Sequence, residues 1–430
     1  MRFVGMDLHK QAVQVCILDQ NGRQVLSRSV PCRRDTLATF AKEHLLKDDQ
    51  VALEATVNTW AVVAVLEPFV GRVAVGNPLQ IRAIAQAKVK TDKVDAAVLA
   101  NLLRCEYLPE VWRPGPDTLR LRQQTGVRAG LVADRTRLKN RIHGVLTGLL
   151  IEPPEVGLFS QQGIAWVREV GLPEDARRTV DRYLRLLEEI DKELAELDAE
   201  LAKLAHQDKQ VKLLMTLPGV GSGVALALVA AFGDLSRFRD ADHAASYLGL
   251  VPSTRQSGSR CYHGSITKTG NSHARSLLVQ AAQHAGTHPG PIGAFFRRVC
   301  KRRSRNVAIV ATARKLATIA YLILKHDEPY RYADPQQVKE KLAKVRLAAG
   351  GPKRKRGRAP QPVASDGPAA SCLNRVYAAE GLPAAQTPEQ LPPGERRAVA
   401  ASGAEEFVNA AHDPKATARR KPGKQKVSGT

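Results

Sequence analysis

The first quarter of the chain alternates in a way that few architectures satisfy. Phe3–Leu8 is apolar, Ala12–Leu18 is a β-branched run, Asp19-Gln20-Asn21-Gly22 is a turn signal, and Gln24–Val30 reads as the return strand. The pattern then switches. A helix is expected over roughly 35–46, followed by the short strand Gln50-Val51-Ala52-Leu53-Glu54, a helix near 59–67 and the strand Arg72–Val75. Hairpin strands followed by alternating helices and strands describe a mixed α/β sheet with helices on both faces. In such a sheet, side chains at strand ends point into the ligand crevice.

Two of those strand ends are acids, Asp7 and Glu54. Further on, Lys90-Thr91-Asp92-Lys93-Val94-Asp95 leads into the Ala/Leu-rich run Ala96–Leu103, which reads as a helix. The i, i+3 spacing of Asp92 and Asp95 stacks both carboxylates on one face of it. Each acid taken alone has a plainer account: a turn or cap for Asp7, a solvated strand end for Glu54, a dipole-favoured helix start for the pair. Capping does not explain why Lys88, Lys90 and Lys93 surround Asp92 and Asp95. Hard oxygen ligands ringed by cations are what a Mg2+ site needs when its substrate is a phosphodiester.

The composition agrees. The 430 residues carry a formal charge of +23 with a pI near 10.0, which points to nucleic acid, or less often to an anionic membrane surface. Residues 351–430 hold 14 Lys/Arg against 7 Asp/Glu, so +16 of the +23 remains on residues 1–350. No apolar run is expected to approach a membrane span, and an acid at position 7 comes too early for a signal peptide. The six cysteines are scattered without a CxxC pair, which argues against a zinc module and fits reduced thiols in the cytoplasm.

Asp117–Leu150 is expected to be a basic helix, with Arg135 and Lys139 among its cations and either a solvated face or phosphate contact as their use. Val180, Tyr183, Leu187, Ile190, Leu194, Leu197, Leu201 and Leu204 form a heptad seam. The seam predicts a coiled coil or self-association element, with packing inside the chain as the alternative. Leu217-Pro218-Gly219-Val220-Gly221 before an apolar helix resembles a helix-hairpin-helix turn, whose glycine amides bind phosphate; a plain helix entry uses the same residues. Ser253–Arg260 reads as a polar, turn-rich loop, and an apolar helix near 307–324 closes this unit. From about residue 347 the composition turns to Ala, Pro, Gly and charge, including Lys353-Arg354-Lys355-Arg356-Gly357-Arg358, and reads as a disordered basic tail.

Together these residues carry a recognisable pattern. Acids on the first strand, the fourth strand and a following helix are laid out as in the RNase H-like fold of Holliday-junction resolvases. Asp7-Leu8-His9-Lys10, Leu53-Glu54-Ala55-Thr56 and Lys90–Asp95 resemble the N-terminal domain of DEDD-type insertion-sequence transposases, a family that includes the Piv-type invertases. Leu217–Gly221, Tyr247–Pro252, Gln256-Ser257-Gly258 and Thr267-Lys268-Thr269-Gly270-Asn271 resemble that family's C-terminal domain. The resemblance spans about residues 1–335. It implies an RNase H-like (RuvC-like) catalytic domain over 1–115, a basic helical and coiled-coil connector over 116–210, and a mainly α domain with the serine loop over 211–335. The tail over 347–430 has no counterpart in that pattern, and Val57 stands where the family's glycine is expected.

The implied activity is DNA strand cleavage and exchange. Asp7, Glu54, Asp92 and Asp95 would hold Mg2+, and a hydroxyl from Ser253, Ser257 or Ser259 would attack the phosphate; the family match selects Ser257. Lys10, Lys90, Lys93, Arg135, Lys139, Gly219, Gly221, Arg255, Arg260 and Lys268 are the expected nucleic-acid contacts. The implied partners are DNA, a structured non-coding RNA bridging donor and target, and further copies of the chain, with no membrane. Two competing readings are a metal-only junction nuclease and a binding protein built on a decayed transposase. The intact acids and the Ser257-Gly258 loop count against the second.

Overall fold

A computed structural model describes residues 1–85, 91–352 and 372–413. The chain begins with a meander of β1 (Phe3–Leu8), β2 (Ala12–Leu18) and β3 (Gln24–Pro31). It continues through α1 (Arg34–His44), β4 (Gln50–Glu54), α2 (Thr59–Leu66), β5 (Arg72–Gly76), α3 (Pro78–Ile84) and α4 (Asp92–Arg104). The strands lie in the order β3-β2-β1-β4-β5; β2 is antiparallel to its neighbours, whereas β4 and β5 run parallel to β1.

Strand alternation decides which side chain meets which helix. Val4, Met6 and Leu8 of β1 join Leu37, Phe40, Val62 and Leu66 of α1 and α2 in one core. Phe3 faces the other way, where Ala52 and Ala74 meet Leu99 and Leu103 of α4. Gly5 lies on that second face, and a Cβ there would sit 1.9 Å from the Ala96 carbonyl oxygen and 2.6 Å from the Ala100 nitrogen. Only a residue without a side chain lets the α4 backbone lie directly on β1.

Residues from Gly115 onward form a second compact unit. It opens with α5 (Pro116–Gly148), α6 (Gln161–Glu169) and α7 (Glu174–Gln207). Arg128 pairs with Asp198 and Arg135 with Asp191, so α5 and α7 run antiparallel. Val180, Leu187, Leu194 and Leu201 of the heptad seam are buried within the chain itself, while Leu204 is exposed. The seam therefore takes the alternative assignment, packing inside the chain, because α5 and the later helix Pro335–Ala348 cover it. Leu194→Lys/Leu197→Lys should accordingly destabilise the monomer by about 3 kcal/mol or more rather than dissociate an oligomer. Thermal melts paired with light scattering check this; an unchanged melting temperature with a lower mass would return the seam to self-association.

The rest of this unit is mostly helical: α8 (Lys209–Met215), α9 (Ser222–Phe232), α10 (Ala241–Tyr247), the hairpin β6 (Pro252–Ser257) and β7 (Arg260–Ile266), α11 (Ser272–Ala285), α12 (Pro291–Arg302), α13 (Arg305–His326) and α14 (Pro335–Ala348). The segment expected as a loop at 253–260 is thus largely strand. Among the described residues α13 is long and apolar enough to cross a membrane by length and composition, which corrects the expectation that no apolar run approaches that size. Its apolar residues serve a protein core instead: Ala308, Leu316, Ala320 and Ile323 are buried, the buried Tyr321 hydroxyl donates to the Phe238 carbonyl at 3.1 Å, and Arg314 pairs with Asp242.

Part of the expected disordered tail is folded. Residues 372–413 form α15 (Cys372–Ala379), α16 (Pro393–Ala401) and α17 (Glu405–His412). Leu373, Tyr377, Leu391, Val399 and Val408 join the main core of the unit, and the Tyr377 hydroxyl donates to the Tyr330 carbonyl at 2.7 Å. A few well-spaced anchors outweigh the polar average. The Lys353–Arg358 run lies outside the described residues.

Candidate active site

β1 and β4 are adjacent and parallel, and their last registered pair is Met6–Leu53. One step further along each strand stand Asp7 and Glu54. Alternation puts both on the α4 side, Asp7 with Phe3 and Gly5, Glu54 with Ala52. Thr91 caps α4 by accepting from the Val94 amide at 3.4 Å, which starts the helix at Asp92 and places Asp92 and Asp95 in its first turn. Carboxylates there are favoured by the helix dipole.

The structure brings three side chains together. His9 Nε2 lies 3.1 Å from Asp7 Oδ2 and 3.3 Å from Asp92 Oδ1. One ligand atom from each of Asp7, His9 and Asp92 falls within 4.8 Å of the others. Asp7 is buried, while His9 and Asp92 are exposed. Burial raises the Asp7 pKa above the ordinary carboxylate range; His9 opposes this, and the charges of Asp95 and Asp92 add to it. Asp95 is thus close enough to act on Asp7, yet neither it nor Glu54 belongs to the set within 4.8 Å. His9 is not among the site residues expected from the sequence. The signal was the Asp7-Leu8-His9 spacing, which puts residues two apart on one face of extended chain.

Lys10 and Lys93 are exposed near these acids in sequence; Lys90, like Lys88, lies outside the described residues. On α5 the expected phosphate contacts are already engaged. Arg135 pairs with Asp191 at 3.3 Å, and Lys139 stands 4.9 Å above the Phe159 ring.

In the second unit the Leu217–Gly221 turn joins α8 to α9, with Gly219 at φ +75°. A Cβ at Gly219 would lie 2.2 Å from the Ala281 carbonyl oxygen, so this glycine is required for packing against α11. From below, the buried Lys341 ammonium donates to the Leu217 and Val220 carbonyls at 2.7 and 3.0 Å. Burial lowers its pKa to about 7. Gly221 caps α9 and is part-exposed.

Ser257 ends β6, opposite Arg260 across the Gly258-Ser259 turn. Gly258 has φ +57° and a Cβ there would meet nothing within 4 Å, so the turn is open. Arg255 pairs with Tyr262 one step earlier on the same face as Ser257. Ser253 lies at the base of the hairpin against Gly264. Lys268 is exposed at φ +55°, in the stretch that docks on Tyr247–Leu250; Arg275 ties the two by donating to the Leu248 and Thr269 carbonyls at 3.0 and 2.9 Å.

Residues 4–151 match the DEDD transposase model of the IS110 group, and residues 211–297 match the transposase IS116/IS110/IS902 family. The acidic cluster lies in the first match and the serine hairpin in the second. The transposase for insertion sequence element IS1111A of Coxiella burnetii is 27% identical over 345 residues, covering 77% of this chain and 92% of that protein. The pilin gene-inverting protein of Moraxella bovis is 27% identical over 343 residues, 76% of this chain and 97% of that protein. A probable family 20 transposase of Pseudomonas aeruginosa is 27% identical over 345 residues, covering 76% and 98%. An acid-bearing mixed sheet joined to a helical second unit, with both regions matched, defines the class as a DNA transposase/recombinase. The chain belongs to the IS116/IS110/IS902 transposase family.

Proposed function

We propose that the chain cuts and rejoins DNA through a carboxylate-bound divalent metal and a serine nucleophile, moving an insertion sequence. The observation that carries this is the convergence of Asp7 and Asp92, with Asp95 in reach, at the end of β1. The strand order β3-β2-β1-β4-β5, with acids ending the adjacent β1 and β4, supports an RNase H-like (RuvC-like) first domain. Asp7, Asp92, Glu54 and Asp95 would hold the ion, as a hard donor set suited to Mg2+. Burial, with the charges of Asp95 and Asp92 adding to it, raises the Asp7 pKa, a cost that a bound cation would relieve. A bound ion would polarise the scissile phosphate. His9 lies between Asp7 and Asp92, within 3.1 and 3.3 Å of their carboxylate oxygens.

Ser257 Oγ is the proposed nucleophile. Its Oγ–P ester bond forms as one P–O bond to deoxyribose breaks; the serine hydroxyl gives up its proton and the departing sugar oxygen takes one up as a free hydroxyl, so the bond count is conserved for rejoining. Arg255 and Arg260 flank Ser257 on the hairpin and offset phosphate charge. Ser257 and the acids belong to different units of the chain. The family resemblance extends the partners to a bridging RNA, which the charge of residues 1–350 suits.

The test is a denaturing gel with end-labelled DNA. Ser257→Ala should bind DNA normally and form no covalent adduct, and Ser257→Cys should retain a trace through its thiolate. An adduct that persists in Ser257→Ala and vanishes in Ser253→Ala or Ser259→Ala would move the assignment to that neighbour. Absence of any adduct in active wild-type enzyme would favour the metal-only nuclease.

A further inference from the structure

The cations of α5 are largely neutralised: Arg128 by Asp198, Arg135 by Asp191 and Arg137 by Asp134. The corner between α12 and α13 is the reverse. Arg298, Lys301, Arg302, Arg303, Arg305 and Lys315 are all exposed, and none has a carboxylate partner among the described residues, whereas nearby Arg314 and Arg331 do. A run of unpaired cations repels itself unless an anion lies across it.

Beside this corner is a cavity of about 820 Å3. Arg298, Lys301 and Lys315 line it together with the apolar Phe295, Ile319 and Leu322, and α16 contributes Ala398 and Val399. Arg298 and Lys315 stand 5.6 and 5.1 Å from the Phe295 ring centroid, which fixes both cations around one aromatic side chain. The two carboxylates in the cavity are already used: Glu328 accepts from Arg331, and Glu395 accepts from Arg331 and the Tyr332 hydroxyl. What is left for a ligand is positive charge over an apolar surface.

We propose that this groove binds a single strand of nucleic acid. Phosphates lie on Arg298, Lys301 and Lys315, and sugars and unpaired bases lie over Phe295, Ile319 and Leu322. Paired bases in a duplex have no apolar face to offer such a floor, whereas unpaired ones do. A displaced DNA strand and an RNA share this chemistry. The α16 wall lies beyond both matched regions. The proposal rests on the chain acting on nucleic acid, and not on the metal or serine assignments.

The full chain is tested by fluorescence anisotropy with labelled single strands of about twenty nucleotides, DNA and RNA in separate arms, over a salt series. The variant is Arg298→Gln/Lys301→Gln/Lys315→Gln, and the control is Arg168→Gln/Arg178→Gln, two exposed arginines already paired with Glu188 and Asp175. The groove variant should weaken binding at least about tenfold in one arm or both. Its slope of log affinity against log salt should fall by about two, since each phosphate contact on a single strand contributes roughly 0.7. The arm that loses more identifies the strand, and the control should stay within about twofold of wild type. An unchanged slope in the groove variant overturns the proposal, as does an equal loss in the control or a duplex that loses as much as the single strands. Ser257→Ala in the same assay should bind as wild type, so failure of the serine assignment would show in the adduct gel and not here.

Discussion

Asp7→Asn should lower strand exchange by about a thousandfold or more while making the protein harder to melt at neutral pH. The first half follows from the several kcal/mol that a bound ion contributes to a developing phosphate charge, lost with one of its ligands. The second follows from linkage. Burial raises the Asp7 pKa in the folded state, with Asp95 and Asp92 adding to it, so the protonated form is the one the fold prefers. The stability tied to that proton is fully present below the unfolded carboxylate pKa and is lost as pH rises through the raised folded value. A neutral asparagine of the same shape avoids that loss. Melting curves at about pH 5 and pH 7.5 should therefore converge for the variant relative to wild type. Divalent ions should raise the wild-type melting temperature and leave the variant's unmoved. Full recombination by Asp7→Asn would remove the metal reading. A variant that melts lower at neutral pH would mean the carboxylate's bond to His9 outweighs its burial.

Such a trade of stability for function shows why parts of this site could be read in the sequence and parts could not. Apolar alternation and turn residues located β1, β2, β4 and β5, and with them the strand ends where Asp7 and Glu54 stand. The i, i+3 spacing put Asp92 and Asp95 on one helix face. The Asp7-Leu8-His9 spacing puts His9 on the face of Asp7, yet an exposed histidine just past a strand end looks like any loop residue, so its approach to Asp92 was not legible. The serine hairpin escaped for a related reason. Both faces of β6 and β7 are largely exposed, so Ser253–Ser257 shows no apolar period two and reads as loop. The α7 seam is a different failure: the same heptad spacing suits a partner chain or an antiparallel neighbour, and only the α5 pairing through Arg128 and Arg135 decides. In the C-terminal stretch Leu373, Tyr377 and Val408 are too sparse to shift a composition dominated by Ala, Pro and charge, although each finds a place in the core.

Gly5 is where fold and site meet, and Gly5→Ala should damage both. A methyl group there would overlap the Ala96 carbonyl oxygen at 1.9 Å and the Ala100 nitrogen at 2.6 Å. Both are backbone atoms of α4, so no side-chain rotation relieves the clash; the helix has to lift off β1. Leu99 and Leu103 would then lose contact with Phe3, Ala52 and Ala74, the core under that face of the sheet. Overpacking of this kind costs about 1–3 kcal/mol where side chains can adjust, and more where only backbone can move. We expect a loss of about 3 kcal/mol or more, read as a fall in melting temperature. The same shift carries Asp92 away from Asp7, because α4 holds one and β1 the other. At temperatures where Gly5→Ala remains folded, strand exchange should be absent, and divalent ions should no longer raise its melting temperature. Gly130→Ala provides the contrast. It lies inside α5, a Cβ there meets nothing within 4 Å, and alanine should stabilise that helix by about 0.5–1 kcal/mol with activity unchanged. A Gly5→Ala protein that melts and recombines like wild type would show that α4 does not lie on β1 in this way, and the juxtaposition of Asp7 with Asp92 would fall with it.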